Sequence, residues 1–268
     1  MNVLSAFDGI SCAQIALERA KIKVDQYFAS ETDKYAIRVT QSNYPNTKQI
    51  GDITKIDIDK LPKIHLLIGG SPCQGLSIAG SGKGFNDPRS KLFYSFVDVL
   101  QAINPKYFLL ENVRMSQSNC KIINECLGVE PIMINSSLVS AQSRKRLYWT
   151  NIPNVKQPKD KKILLKDIIE NGSVDRDKSY CIDACYYKGT SIDNYYNKKR
   201  RQCVIIGPDK LNPSHIRMLT PLECERLQTL PDGYTDKGVS NTQRYKMIGN
   251  GFTVDVIAHI LSYIPEKH

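Results

Sequence analysis

The chain has 268 residues, of which 41% are hydrophobic and 24% charged, and its 37 Lys and Arg against 27 Asp and Glu leave a net charge of +10. This length holds one sizeable core plus a smaller lobe, the composition is that of a globular protein, and no run approaches the roughly 18 apolar residues of a membrane span. The basic surplus favours a polyanionic partner, nucleic acid first; the eight cysteines include no C-x-x-C pair, which argues against a structural metal site, and without a secretory signal they are expected as reduced thiols of a cytoplasmic protein.

The first 150 residues alternate short apolar runs with helical spacing. Residues 3–7 read as a strand and 12–19 as a helix, 26–30 as a second strand and 34–41 as a second helix. A third strand over 65–68 is almost continuously apolar, which suits burial on both faces. A helix over 91–103 and a buried strand over 107–110 follow. This alternation predicts a doubly wound, mostly parallel α/β sheet. From residue 151 the character changes. Between 156 and 201 twelve Lys or Arg stand against seven Asp or Glu, with five tyrosines, at 180, 186, 187, 195 and 196. A small second lobe is expected over 151–216, with 1–150 and 217–268 forming the main domain. Helical spacing returns over 221–228 and 254–264.

Strand one runs into Phe7-Asp8-Gly9-Ile10-Ser11, and in doubly wound folds ligands sit at such carboxyl ends, where a glycine permits close backbone approach. Glu31 at the end of strand two can accept from both hydroxyls of a ribose, and Asp52, beside Ile53, can bind an adenine amino group. The fingerprint G-x-G-x-x-G is absent, so the loop lacks the glycines that admit a pyrophosphate. A nucleoside without phosphates, such as S-adenosylmethionine, fits better than a nicotinamide dinucleotide. Cys73 follows the most buried strand, between Pro72 and a set of small residues, which suits a thiol that must meet a substrate. Glu111 ends the next buried strand, where apolar neighbours would raise its pKa and make it a proton donor. Arg144 and Arg146, two apart in an extended segment, are expected to point the same way and to hold a phosphate or a polar base edge.

Pro-Cys-Gln at 72–74, Glu-Asn-Val at 111–113, Gln-x-Arg-x-Arg at 142–146 and Gly-Asn at 249–250 stand in the order of the cytosine-5 DNA methyltransferase family, which the chain resembles over nearly its whole length. Phe7 to Ile10, Gly69 to Cys73 and Pro131 to Asn135 look like the eukaryotic de novo branch. The resemblance implies a Rossmann-like, S-adenosylmethionine-dependent sheet with a small target-recognition lobe. It implies that Cys73 attacks C6 of a flipped-out cytosine, that Glu111 engages N3, and that Arg144 and Arg146 hold O2, with Arg144 the more catalytic. Phe7, Asp8, Gly9, Ile10, Ser11, Glu31, Asp52, Ile53, Leu92, Asn250, Gly251 and Phe252 match cofactor positions, with S-adenosylhomocysteine as product. Gln74, Ser77, Lys188, Lys198, Lys199, Arg200 and Arg201 are assigned to the DNA, and no metal is implied.

The resemblance is not uniform. Ser11 replaces the usual second glycine of the first motif, and Gly-Asn is followed by Gly251-Phe252 rather than by Ser or Ala and then Val. The stretch from Arg217 to Gln228 looks like the family's ninth motif, whose role is architectural. A bare catalytic domain is expected, as in a bacterial or phage enzyme, acting on double-stranded DNA as a monomer or weak dimer, with a restriction endonuclease partner left open. A tRNA cytosine methyltransferase, an inactive DNA-binding relative and a nicotinamide-dependent oxidoreductase are the alternatives.

Overall fold

The structure, a computed structural model, describes residues 1–72, 91–208 and 212–265. Their contacts divide into two compact units, Met1–Ile134, Lys145–Gln157 and Ala258–His268 in the first, and Asn135–Arg144 with Pro158–Ile257 in the second.

The first unit carries a seven-stranded sheet in the order β3-β2-β1-β4-β5-β7-β6. β1 (Asn2–Ala6), β2 (Gln26–Ser30), β3 (Lys48–Gln49), β4 (Leu66–Gly69) and β5 (Tyr107–Val113) pair in parallel, joined by α1 (Cys12–Arg19), α2 (Lys34–Asn43) and α3 (Lys91–Ile103). β6 (Ile132–Asn135) lies at the far edge, and β7 (Lys145–Thr150) enters between it and β5, antiparallel to β5. The doubly wound expectation is met, and the antiparallel insertion is an addition to it. Also new against the sequence reading are α4 (Gln117–Leu127) and, in the second unit, α7 (Asn241–Asn250).

The alternation is built from ordinary signals. Val3, Leu4, Leu66, Leu67, Ile68, Leu109 and Leu110 are all fully buried, as central parallel strands require. Asp33 caps α2 by accepting from Tyr35 N, and Ser116 caps α4 by accepting from Asn119 N. Phe93 and Phe96 on α3 join Leu4, Leu67, Phe108 and Trp149 in one apolar cluster, each such side chain contributing roughly 1.5–3 kcal/mol of burial. The Trp149 indole keeps its hydrogen bond, donating to Asn124 Oδ1 at 2.7 Å.

The second unit holds β8 (Cys203–Ile205) paired antiparallel with β9 (Ile216–Met218), α5 (Ile192–Tyr196), α6 (Pro221–Leu227) and α7. The expected boundary after residue 216 falls inside β9, and residues 217–257 group with 158–216. Tyr186 explains this. Its hydroxyl accepts from Leu219 N and donates to Gln202 O, while Tyr245 donates to Leu219 O. Residues 151–157 instead belong to the first unit, where Asn151 Oδ1 accepts from Phe108 N and Asn151 Nδ2 donates to Lys106 O.

Strand addition proceeds from β1 toward β2 and β3 on one side, and from β4 to β5 on the other. The crevice of the sheet therefore opens between the carboxyl ends of β1 and β4. Gly69 ends β4 opposite Ala6, and a Cβ on it would lie 2.9 Å from Ala6 O and 3.1 Å from the Phe96 ring. Gly69→Ala is expected to lower stability by about 1–3 kcal/mol through overpacking, read as a lower urea midpoint with an unchanged slope; a midpoint equal to the parent's would show that β1 and β4 have room to part.

Candidate active site

The loop after β1 is strained. Phe7, Gly9 and Ser11 all take left-handed backbone angles, φ 55°, 60° and 55°, a conformation that costs a residue with a side chain on the order of 1 kcal/mol or more. Ser11, standing where the resembling family has glycine, spends its hydroxyl on the Asp8 carboxylate, and Tyr27 donates to the other oxygen of Asp8 at 2.6 Å. Asp8 is buried, and burial pushes its pKa from the ordinary 3.8 up to about 6, against the opposing pull of the Ser11 and Tyr27 hydrogen bonds. Asp8 and Ser11 thus hold the loop together from inside. Gly9 is an open point in it, since a side chain there would meet nothing within 4 Å among the described residues.

Glu31 is tied to the same loop. Its Oε2 accepts from Gly9 N at 2.8 Å, and its Oε1 from Thr32 N and Asp33 N. Asp52 caps a 3-10 turn, with Oδ1 accepting from Thr54 N and Thr54 Oγ1 at 2.9 Å each, which holds its pKa below the usual range. Its Oδ2 has no partner among the described residues. Phe7 and Leu92, both half-buried, pack against the apolar cluster that includes Ile53, and Ile10 is buried. Clear space at Gly9 among the described residues, carboxylates at Glu31 just after β2 and at Asp52 beyond β3, and no Lys or Arg between Phe7 and Ile10 suit a nucleoside better than a phosphate.

At the end of β4, Ser71 is buried and receives Asn112 of β5, whose Nδ2 donates to Ser71 Oγ at 3.0 Å and to Ser71 O at 3.2 Å. Asn112 therefore fixes the backbone one residue before Pro72. Cys73, Gln74 and Ser77 lie outside the described residues. Glu111, beside Asn112, pairs with Arg146 of β7, Nε to Oε1 at 3.1 Å, with side chains only 13% and 15% exposed. The antiparallel register sets Glu111 opposite Tyr148 and Val113 opposite Arg146, which makes Glu111 and Arg146 diagonal neighbours on one face of the sheet.

The two arginines of the 142–146 motif, expected to point the same way, have different partners. Arg144 precedes β7, belongs to the second unit, and is buried. Its Nη1 donates to Ile182 O at 3.0 Å and its Nη2 to Gly251 O at 3.1 Å and Gly249 O at 3.3 Å. Backbone carbonyls distant in sequence capture this guanidinium, so it staples its own unit. Gln142 and Gln228 extend the same network, Gln142 Nε2 donating to Gln228 Oε1 and Gln228 Nε2 to Ile248 O and Gly251 O. Of the expected cofactor residues in this unit, Asn250 is exposed at the end of α7, and Gly251 and Phe252 are half-buried. The stretch from Arg217 to Gln228 is architectural here: Thr220 and Glu223 form a capping box, and the fully buried Glu223 takes two bonds from Arg217 at 2.8 Å each.

Among the expected DNA contacts, Lys188, Lys198, Lys199 and Arg200 are exposed. Lys198 pairs with Asp193 at 3.0 Å, and Arg201 is half-buried with its Nη1 donating to Gly189 O. Tyr186 and Tyr195 are core residues, whereas Tyr187 is 40% exposed. Missed by the sequence reading were Asn112 and Tyr27, whose partners are known only once the strands are paired.

A family model for C-5 cytosine-specific DNA methylases matches residues 1–180 and 138–266. The Type II methyltransferase M.NlaX of Neisseria lactamica is 30% identical, over 97% of this chain and 94% of its own length. Two solved structures share the fold: the Entamoeba histolytica methyltransferase EhMeth, with a TM-score of 0.77, 20% identity and coverage of 98% of this chain and 97% of that one, and the S. pombe Dnmt2 methyltransferase, with a TM-score of 0.72, 17% identity and 98% of each chain covered.

Asp8 gives a pH test of the β1 loop. Its folded pKa of about 6 lies above the unfolded 3.8, so its contribution to stability is fully present below about pH 4 and is lost as pH rises through 6. The difference amounts to roughly 3 kcal/mol. Asp8→Asn keeps an acceptor for Ser11 or Tyr27 without the charge. Denaturation of both proteins between pH 4 and 7 should show the parent losing stability relative to the variant by that amount; parallel curves would mean that Asp8 is ionised without penalty.

Proposed function

This chain belongs to the C-5 cytosine-specific DNA methylase family, and on that footing we propose how its own residues carry out methyl transfer to C5 of cytosine in DNA. The observation that carries the reading is the Glu111–Arg146 pair beside Asn112, which ties β5 to the residues leading into Pro72-Cys73. Cys73 is the nucleophile. Its thiolate adds to C6, and the pair of electrons displaced from the 5,6 double bond makes C5 nucleophilic. Glu111 engages N3, so that the ring carries the charge that addition places on it, and Arg146 orients Glu111 and donates to O2. After transfer the C5 proton leaves to a base and the bond to Cys73 breaks, restoring the aromatic ring and the thiolate. C5 and C6 are inaccessible within a stacked duplex, so the target base is extruded.

S-adenosylmethionine supplies the electrophilic methyl group. Glu31 accepts from its ribose, Asp52 Oδ2 from its adenine amino group, and Gly9 gives it room against the backbone, with Phe7, Ile53 and Leu92 packing its apolar faces. The relative from Neisseria lactamica is named a Type II methyltransferase, which supports a restriction-modification setting with a duplex target. The exposed basic residues of the second unit supply phosphate contacts. Arg144 is assigned to holding that unit together, and Arg146 takes the role at the base.

Bisulfite sequencing of a mixed-sequence duplex incubated with the protein and S-adenosylmethionine is the direct test. Protected cytosines in a defined context are expected, and none with Cys73→Ser, whose thermal unfolding should match the parent's. Turnover by that variant would remove the covalent mechanism, and protection confined to an RNA substrate would remove the DNA assignment. Lys199 and Arg200 test the phosphate contacts. Replacing both by alanine should reduce the slope of log affinity against log salt by about 2; an unchanged slope would place the DNA elsewhere.

A further inference from the structure

Residues 170–177 of the second unit form a loop held at both ends. Glu170 N donates to the buried Glu223 Oε1 at 2.8 Å, and Arg217 Nη2 donates to Asn171 O at 2.8 Å. Ser173 exchanges two backbone hydrogen bonds with Ile205 of β8, 2.8 Å each, and Asp177 O accepts from Leu165 N at 2.7 Å. Between these anchors Arg176 is fixed on two sides. One edge of its guanidinium meets Asp175, Nε to Oδ1 at 3.0 Å and Nη2 to Oδ2 at 2.8 Å. One face lies 3.9 Å from the centroid of the Tyr180 ring. The buttress continues inward: Tyr195 donates to Asp175 Oδ1 at 2.5 Å, Gln202 Nε2 donates to Tyr195 at 2.7 Å, and both Tyr195 and Gln202 are buried.

The remaining edge of Arg176, Nη1 with the second hydrogen of Nη2, is uncommitted. Nη1 has no protein partner among the described residues and is not among their buried unsatisfied atoms. The side chain is 27% exposed and lines an open depression of about 540 Å³ shared with Glu170, Asn171, Ser173 and Asp175.

We propose that Arg176 is a specificity-determining residue that reads a guanine in the DNA target, donating from this outer edge to guanine N7 and O6. A planar fork with two parallel donors matches that pair of acceptors, and each such bidentate contact discriminates by about tenfold or more. A phosphate is the poorer fit, because Glu170, Asp175 and Asp177 border the depression against Lys166 and Arg176, which leaves no positive surplus to attract one. What survives cancellation is hydrogen-bond geometry, which the buttress by Asp175 and the stack on Tyr180 fix before the ligand arrives. The inference rests on the DNA methyltransferase reading above.

The experiment is the base profile around the methylated cytosine in a randomised duplex library, for the parent and for Arg176→Gln. The parent should require guanine at one flanking position. Arg176→Gln should exchange that preference for adenine, whose N6 and N7 suit a carboxamide, or relax it by tenfold at that position alone. A parent that methylates no duplex sinks the DNA reading itself. A parent without a guanine preference, or a variant that keeps the parent's profile, overturns only the role of Arg176. Collapse of the preference at every position also overturns it, because Arg176 would then merely hold the unit. Should Arg176→Gln lose its thermal transition, Arg176→Lys, which keeps the charge against Asp175, decides: discrimination for guanine falls at least fivefold, or the proposal fails.

Discussion

The contact between Gly69 and Ala6 is the constraint on which the first unit depends. These residues end the two central strands, and they approach so closely that a single methyl group on Gly69 would strike the Ala6 carbonyl oxygen. Because strand order reverses between β1 and β4, the chain leaves this point in opposite directions, and a crevice opens where it does. The loop from Phe7 to Ser11 leaves from one strand, and Ser71-Pro72, with Cys73 next in sequence, from the other. Asn112 reaches across from β5 to Ser71, and the neighbouring Glu111 faces Arg146. In Glu-Asn-Val the glutamate is the one proposed to serve the chemistry, and the asparagine next to it fixes the backbone that leads toward Cys73.

The β1 loop carries the cost of that geometry. Two residues with side chains, Phe7 and Ser11, occupy the left-handed region, and a carboxylate is buried beneath them. Neither is favourable alone. Together they offset each other, because the Ser11 hydroxyl and the Tyr27 phenol satisfy the oxygens that burial has stripped of water. The serine that stands where a glycine is usual is thus explained by its acid partner at position 8. Glu31 closes the arrangement from β2 by accepting from Gly9 N, which also places a carboxylate beside a glycine where an added Cβ would meet nothing within 4 Å among the described residues.

Most of the sheet was legible because its signals are local. Apolar runs over 3–7, 65–68 and 107–110 and the helical spacing over 12–19 and 91–103 need no knowledge of distant residues. α4 escaped because QSNCKIINECL buries only Ile123 and Leu127 and carries polar residues at six of its other positions. The antiparallel entry of β7 escaped because pairing direction is not written in a strand. The position of Glu31 directly after β2 followed from the same local reading, whereas Asp52 lies beyond β3 as a turn cap and Glu111 falls inside β5, two residues short of its end. Arg144 is the instructive contrast. Two arginines at i and i+2 in extended backbone share a face, but β7 begins only at Lys145, and the carbonyls that capture Arg144 come from residues 182, 249 and 251. The contacts group residues on both sides of position 216 for the same kind of reason, since the Tyr186 hydroxyl joins Leu219 to Gln202 across a long stretch of sequence.

The arginines show why composition alone misjudges a basic protein. A net charge of +10 suggests a surface made for phosphate, yet several guanidinium groups are spent within the molecule. The Nη1 and Nη2 groups of Arg144 are taken by carbonyls while its buried Nε has no partner among the described residues, Arg217 is held by Glu223 and Asn171, and Arg146 is turned to Glu111. What a guanidinium does is set by which of its five donors the protein has already used. One with every edge taken is mortar. One with none taken, on a solvated stem, is a point charge suited to salt-dependent, sequence-blind attraction, the role proposed for the exposed Lys199 and Arg200. Arg176 lies between these cases: one edge is bound to Asp175, one face is covered by Tyr180, and its charge is balanced by neighbouring acids. Such a group has lost its value for phosphate and gained direction. Direction is what distinguishes one base edge from another, which is why Arg176 is proposed to serve selectivity rather than affinity.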